Sequence, residues 1–270
     1  MFLAVTGRTQ ASQYAPLVYR GKYEDMIPAA AAVGYDAMEL HIQDSAQLDR
    51  PRLKDLFNRS GITLCAIGTA PAYTEDHLFL SSEDASVRQQ AIKRIQDHIV
   101  TARDYPGAVV IIGLVKGLTR DCSSREACLK NLAESMRVLV DDAAGEKVVL
   151  VFEAINRYES DLFNTIAETT AFIDKFDSPW MKLHIDTFHM NIEETDIAAA
   201  IREAKGKIGH VHIADSDRWY AGHGHYNFKE TVRTLREIDY DRALSVESYM
   251  FPDSETSARK TFATLKSCLG

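Results

Sequence analysis

VVLVFEA, residues 148–154, is a nearly continuous apolar run that ends on a glutamate. A strand covered by helices on both faces is apolar at successive positions rather than alternate ones, so this stretch reads as a buried strand, Val148–Glu153, of a parallel sheet. The pattern repeats on either side of it. Val109–Gly113 precedes it, and Lys182–Asp186, Gly209–Ile213 and Ala243–Glu247 follow. With Phe2–Thr6, Ala37–Ile42 and Thr63–Ile67 there are eight candidate strands. Between them run helical stripes: Val87, Ala91, Ile95 and Ile99; Leu129, Leu132, Met136, Leu139 and Val140; Phe228, Val232, Leu235 and Ile238. Gly34, Gly61 and Gly206 stand where a left-handed residue would end a helix before the next strand. Eight strands alternating with helices predict a single (β/α)8 TIM barrel over residues 1–270.

Composition agrees with one large α/β unit. The chain has 270 residues, 46% of them hydrophobic and 26% charged, with a formal net charge of −8. That sign argues against a nucleic-acid partner, since phosphate-backbone affinity comes from clustered Lys and Arg. No apolar run approaches the ~18 residues of a membrane span, and the opening Met-Phe-Leu-Ala-Val-Thr-Gly reads as a strand rather than a leader. Cys65, Cys122, Cys128 and Cys268 lack metal-type spacing. They read as free thiols of a reducing, cytoplasmic compartment.

The turns from helix to strand are short, whereas those from strand to helix are long, notably Thr69–Ser82 and Ala214–Tyr226. Long loops on one face predict a site at the C-terminal rim, with Thr69–Ser82, carrying Tyr73, His77 and Phe79, covering it. Four successive strands carry polar groups toward that rim: Glu153, Asp186, the pair His210 and His212, and Glu247. One such carboxylate is commonly a helix cap. Several converging on one centre would repel each other, and a divalent cation relieves that. Three oxygen donors and one imidazole suit Mn2+, Co2+ or Mg2+ better than structural zinc. His212, nearer the strand end, is the expected ligand, and His210 is expected to serve packing or orientation.

The blocks CAIGTAPAY (65–73), VVIIGLVKG (109–117), FEAINRYES (152–160), HIDTFHMNIEE (184–194), HVHIADSDRW (210–219), GHGHYNF (222–228) and SVES (245–248) resemble the metal-dependent ketose 3-epimerases of the xylose isomerase-like TIM barrels. D-tagatose and D-psicose 3-epimerases are members, and the resemblance is closest to the 5-keto-L-gluconate epimerase branch. It implies a metal held by Glu153, Asp186, His212 and Glu247, with Glu153 and Glu247 also the acid–base pair. It implies that Glu159, His189 and Arg218 hold the substrate. Asp217, Ala221 and Asn227 depart from the family pattern, and Asn227 is expected to cap a helix with Glu230 as its partner.

These features predict an isomerase that inverts the carbon next to a ketose or keto sugar-acid carbonyl through an enediolate. Lys116, in GLVKGLTR (113–120), is expected to bind a substrate carboxylate, with Arg120 nearby. That favours a sugar acid such as 5-keto-L-gluconate or D-tagaturonate over neutral ketoses. An aldose–ketose isomerase, a metal-assisted lyase and a non-catalytic sugar-binding barrel are the alternatives. A homo-oligomer, dimer or tetramer, is expected.

Overall fold

The computed structural model describes all residues 1–270. Its strands are β1 (Phe2–Arg8), β2 (Tyr19–Arg20), β3 (Ala37–His41), β4 (Thr63–Gly68), β5 (Val109–Ile112), β6 (Val149–Glu153), β7 (Met181–Asp186), β8 (Ile208–Ile213) and β9 (Ala243–Val246). All pairings are parallel, and β1 pairs with both β3 and β9, which closes the sheet into an eight-stranded barrel. The two-residue β2 adds to the upper end of β1, at Gly7 and Arg8. Each predicted strand is present with ends shifted by one or two residues. The one shift that matters is β1, which continues past Thr6 to Arg8.

Helices α1 (Tyr23–Val33), α2 (Arg50–Ser60), α3 (Ala70–Thr74), α4 (Ala85–Ala102), α5 (Arg125–Glu146), α6 (Ile166–Ile173), α7 (Thr187–Glu193), α8 (Ile197–Glu203), α9 (Phe228–Glu237) and α10 (Ser254–Leu269) complete the chain. Side-chain caps start many of them: Asp49, Asp84, Ser124, Thr165, Asp196 and Asp253 each accept a backbone N–H of the first turn. Asn227 does the same for α9, accepting from Glu230 N. The Glu230 carboxylate returns to the Asn227 side-chain amide, at 3.2 Å, rather than to its backbone. Gly34 and Gly61 end α1 and α2 at φ 109° and 68°. Gly206 is also left-handed but lies two residues past the α8 cap Ala204.

The main core lies between the barrel and its helices. It includes the inner stripes Ala91, Ile95 and Ile99 of α4 and Leu132, Met136, Leu139 and Val140 of α5. Residues that alternate with those on the strands, among them Ala4, Ala37, Cys65, Val109, Val151 and Ala243, form a separate apolar cluster inside the barrel. Inward positions nearer the rim are polar, and the site begins there. No helix is long and apolar enough to cross a membrane.

The segment Thr69–Ser82 is not the open loop its length suggests. It begins with α3, and Leu78, Leu80, Ser81 and Ser82 are buried. Leu80 is tied through its N–H to the Val115 carbonyl and through its carbonyl to the Ser135 hydroxyl. Only its first part, Thr69 to Glu75, faces the cleft described next.

Candidate active site

A cleft of about 440 Å³ opens at the C-terminal ends of the strands, and Glu153, Glu159, His189, His212, Arg218 and Glu247 are among its lining residues. Glu153 ends β6, Asp186 ends β7, His212 is the next-to-last residue of β8, and Glu247 follows β9. All four are buried. Glu153, Asp186 and His212 bring one potential ligand atom each within 4.8 Å of one another. His212 Nδ1 also lies 3.5 Å from Glu247 Oε2 and 3.9 Å from Asp186 Oδ2. Gly113, just past β5, is part of this geometry. A Cβ there would stand 2.5 Å from Glu153 Oε2, so the carboxylate occupies space that only glycine leaves open.

The strand below supplies a group that sequence reasoning missed. Glu39, in the middle of β3, has no exposed surface and accepts from three imidazoles. His41 Nε2 reaches Oε1 at 2.9 Å, His210 Nε2 reaches Oε2 at 2.8 Å, and His212 Nε2 lies 3.0 Å from both. Ser245 Oγ donates to Oε2 as well, at 2.9 Å. Against the cost of burial, His212 and the donated hydrogen bonds hold the Glu39 pKa well below the usual carboxylate range. An ionised carboxylate only accepts, so each Nε2 must carry its proton. The other nitrogen of His212, Nδ1, is thereby aimed at Asp186 and Glu247.

His212 Nδ1 and Asp186 Oδ2 are buried polar atoms without a hydrogen-bond partner. Asp186 Oδ1 is occupied, accepting from Phe188 N at 2.6 Å as the cap of α7. Burial raises Asp186 to about 6, and the Glu247 charge adds to the rise. Burial likewise raises Glu153 to about 8, with Glu247 and Asp186 pushing in the same direction. Glu247 is held low, despite burial, by His212, Arg218 and His41. The His212 pKa is raised well above that of a free imidazole, burial notwithstanding, by Glu39 and Glu247. Crowded carboxylates, an orphaned oxygen and an orphaned ring nitrogen fit a divalent cation, whose carboxylate–histidine support is Glu39.

The remaining predicted residues line the cleft, with one exception. Asn156 Nδ2 donates to His189 Nδ1 at 2.7 Å, which leaves Nε2 as the proton-bearing nitrogen, 3.6 Å from Glu153 Oε1. Burial, with Arg218 and Lys116 nearby, keeps His189 neutral. Arg218 adopts φ 63°, a backbone region costly for a side-chain-bearing residue. It donates to Glu159 Oε1 at 2.8 Å and to Glu247 Oε2 at 3.3 Å, and stacks 4.8 Å over the Phe188 ring.

Lys116 is the exception. It is fully buried, is not part of the cleft lining, and donates to the Glu153 carbonyl at 3.2 Å. The 3-10 turn Leu114–Lys116 after β5 directs it inward beneath the rim rather than over it. Burial lowers its pKa to about 8 even with Glu153 beside it. Arg120 bears on Tyr73 and lies outside the lining. Arg8, which sequence reasoning left unremarked, is the further cation that does line it. Its signal was β1 reaching two residues further than expected.

The family model for xylose isomerase-like TIM barrels matches residues 27–268. An L-ribulose 3-epimerase of Mesorhizobium japonicum is 34% identical over 222 residues, which is 80% of this chain and 72% of that one. A D-psicose 3-epimerase of Enterocloster bolteae is 29% identical over 236 residues, 84% of this chain and 77% of that one. The chain belongs to the ketose 3-epimerase family. As a member it is an isomerase, a sugar epimerase. The crystal structure of a Methylomonas D-allulose 3-epimerase in complex with D-allulose superposes with a TM-score of 0.83 at 27% identity, covering 98% of this chain and 97% of that one.

This epimerase's departures from the family pattern lie away from the cleft lining. Asp217 pairs with His223 Nδ1 at 2.6 Å, Ala221 is buried with its N–H on Thr261 Oγ1, and Asn227 caps α9.

Proposed function

We propose that the protein inverts the carbon next to a ketose carbonyl by two-base proton transfer between Glu153 and Glu247. The observation that carries this reading is the pair of buried carboxylates flanking the orphaned Asp186 Oδ2 and His212 Nδ1 at the floor of a sugar-sized cleft. Glu153, Asp186, His212 and Glu247 would hold the cation, and the oxygen-rich set favours Mn2+, with Co2+ or Mg2+ able to substitute. Bound there, it supplies Lewis-acid stabilisation of negative charge developing on the substrate oxygens.

The chain's own residues do the rest. One glutamate removes the proton from the carbon, and the other delivers a proton to the opposite face of the planar enediolate. His189 offers its Nε2 proton to a substrate oxygen, and Arg218 and Glu159 hold neighbouring hydroxyls. The Glu39 anchor keeps the His212 ring in one tautomer throughout.

Supporting the reading are relatives that act as 3-epimerases on L-ribulose and D-psicose. The sugar-acid version, of the 5-keto-L-gluconate or D-tagaturonate type, rests on Lys116 and on the resemblance to the 5-keto-L-gluconate branch, and the burial of Lys116 takes away the first of these supports. In solvent D2O the two-base mechanism places deuterium at the inverted carbon of the product. Glu153→Gln and Glu247→Gln are each expected to cut turnover by about 10²–10⁴-fold with the fold intact by circular dichroism. If only one of the two matters and aldose accumulates, an aldose–ketose isomerase replaces this reading. If neither matters, a binding barrel does.

A further inference from the structure

One wall of the cleft holds a charged pair that the proposed chemistry leaves unused. Arg8, the last residue of β1, bonds Glu75 in a two-pronged pair, Nη1 to Oε1 at 2.6 Å and Nη2 to Oε2 at 2.7 Å. The Arg8 side chain is 9% exposed and that of Glu75 42%. Both line the same cleft as Glu153 and Glu247. Strand register sets their height. Ala4 lies beside Ser245 and Val5 beside Val246, so Thr6 is level with Glu247. Arg8 is the next inward-facing position, about 7 Å nearer the mouth at ~3.3 Å per residue.

We propose that the Arg8–Glu75 pair reads the far end of the sugar and selects a neutral, hydroxylated terminus over a carboxylate. The inference rests on the epimerase reading, which puts the reacting carbon between Glu153 and Glu247 and the chain end toward the mouth. A hydroxyl both donates and accepts, so it can bond Glu75 and Arg8 together. A carboxylate only accepts, and here it meets the like charge of Glu75. No other cation is free to offset that repulsion. Arg218, the other cation in the lining, is already matched by Glu159 and Glu247, and Lys116 is turned away beneath the rim. Without Glu75, Arg8 would be a nearly buried, unmatched guanidinium, the group that a substrate carboxylate seeks.

D-Tagatose and D-tagaturonate differ at the terminal carbon alone, CH2OH against carboxylate, and make a matched pair of probes. Calorimetric binding of both to the Mn2+-loaded protein reads end recognition whether or not turnover follows, while solvent deuterium exchange separately reads the epimerase assignment. Wild type is expected to bind the neutral sugar about tenfold or more tightly than the acid, and Glu75→Gln is expected to reverse or erase that preference, one charge-assisted hydrogen bond being worth that much. In the double variant Arg8→Gln/Glu75→Gln the gain for the acid should vanish. Equal binding of the two ligands by wild type, or a Glu75→Gln effect of the same factor on both, overturns the proposal. So does a gain for the acid that persists without Arg8.

Discussion

Glu39 holds three imidazoles and a serine hydroxyl on two oxygens, and through His212 it decides which nitrogen faces the cation site. Replacing it with glutamine keeps the shape but removes the charge that fixes the tautomer. Supporting partners of metal ligands are typically worth about 10–100-fold in affinity, so Glu39→Gln should weaken Mn2+ binding by about that factor in titrations of demetallated protein. Unchanged affinity would mean that His212 needs no such anchor. Gly113 gives a second test at this scale. With a Cβ built only 2.5 Å from Glu153 Oε2, Gly113→Ala should displace the carboxylate and lower kcat while the melting temperature stays close to that of wild type. Glu39 was not legible in AMELH (37–41), because a strand pattern does not say which alternate residues face the barrel axis. There Met38 and Leu40 join the core with the helices, and Glu39 and His41 turn inward.

At the scale of elements, a buried histidine ties α4 to the 3-10 turn Ser45–Gln47. His98 Nδ1 meets Ser45 Oγ at 2.7 Å, and burial, with Arg94 nearby, lowers its pKa to about 3. The unfolded chain takes up this proton near pH 6.5 and the folded chain only near pH 3, so the unfolded state binds more protons between these values. Stability therefore falls as pH drops through that window, by on the order of 5 kcal/mol from this one group. Urea unfolding from pH 7 to pH 4 should show a shallower loss for His98→Gln than for wild type. A parallel decline in both proteins would assign acid sensitivity elsewhere. Elements also mark where sequence reasoning stopped short. Strand ends bearing Glu153, Asp186 and Glu247 were legible because adjacent barrel strands converge. Lys116 was not, since its direction depends on a three-residue turn whose course no periodicity records.

For the whole molecule, the alternation of apolar runs and helical stripes was enough to predict the barrel, because eight parallel strands with both faces covered have few other ways to close. What it could not predict was how polar the barrel is inside above its small apolar layer. Buried carboxylates that repel one another would make the barrel's stability depend on the cation. At a hundredfold excess over Kd, binding to the folded state adds about 2.7 kcal/mol. Mn2+ should thus raise Tm by roughly 5 °C or more over chelated protein in scanning calorimetry. No rise would exclude a cation from this cluster. The Glu39 hub also has a spectroscopic consequence. Three ring protons held between imidazoles and one ionised, fully buried carboxylate should appear as separate downfield resonances in proton spectra. Glu39 itself is fully buried, while His41 and His212 border the cleft and His210 borders a second pocket at the opposite end of the barrel. Exchange of these protons with deuterated water therefore waits on local breaking of the hydrogen bonds to Glu39. The rate at which those signals fade in the epimerase would report how often the hub lets go of each ring, and a bound ligand filling the cleft should slow the His41 and His212 signals more than that of His210.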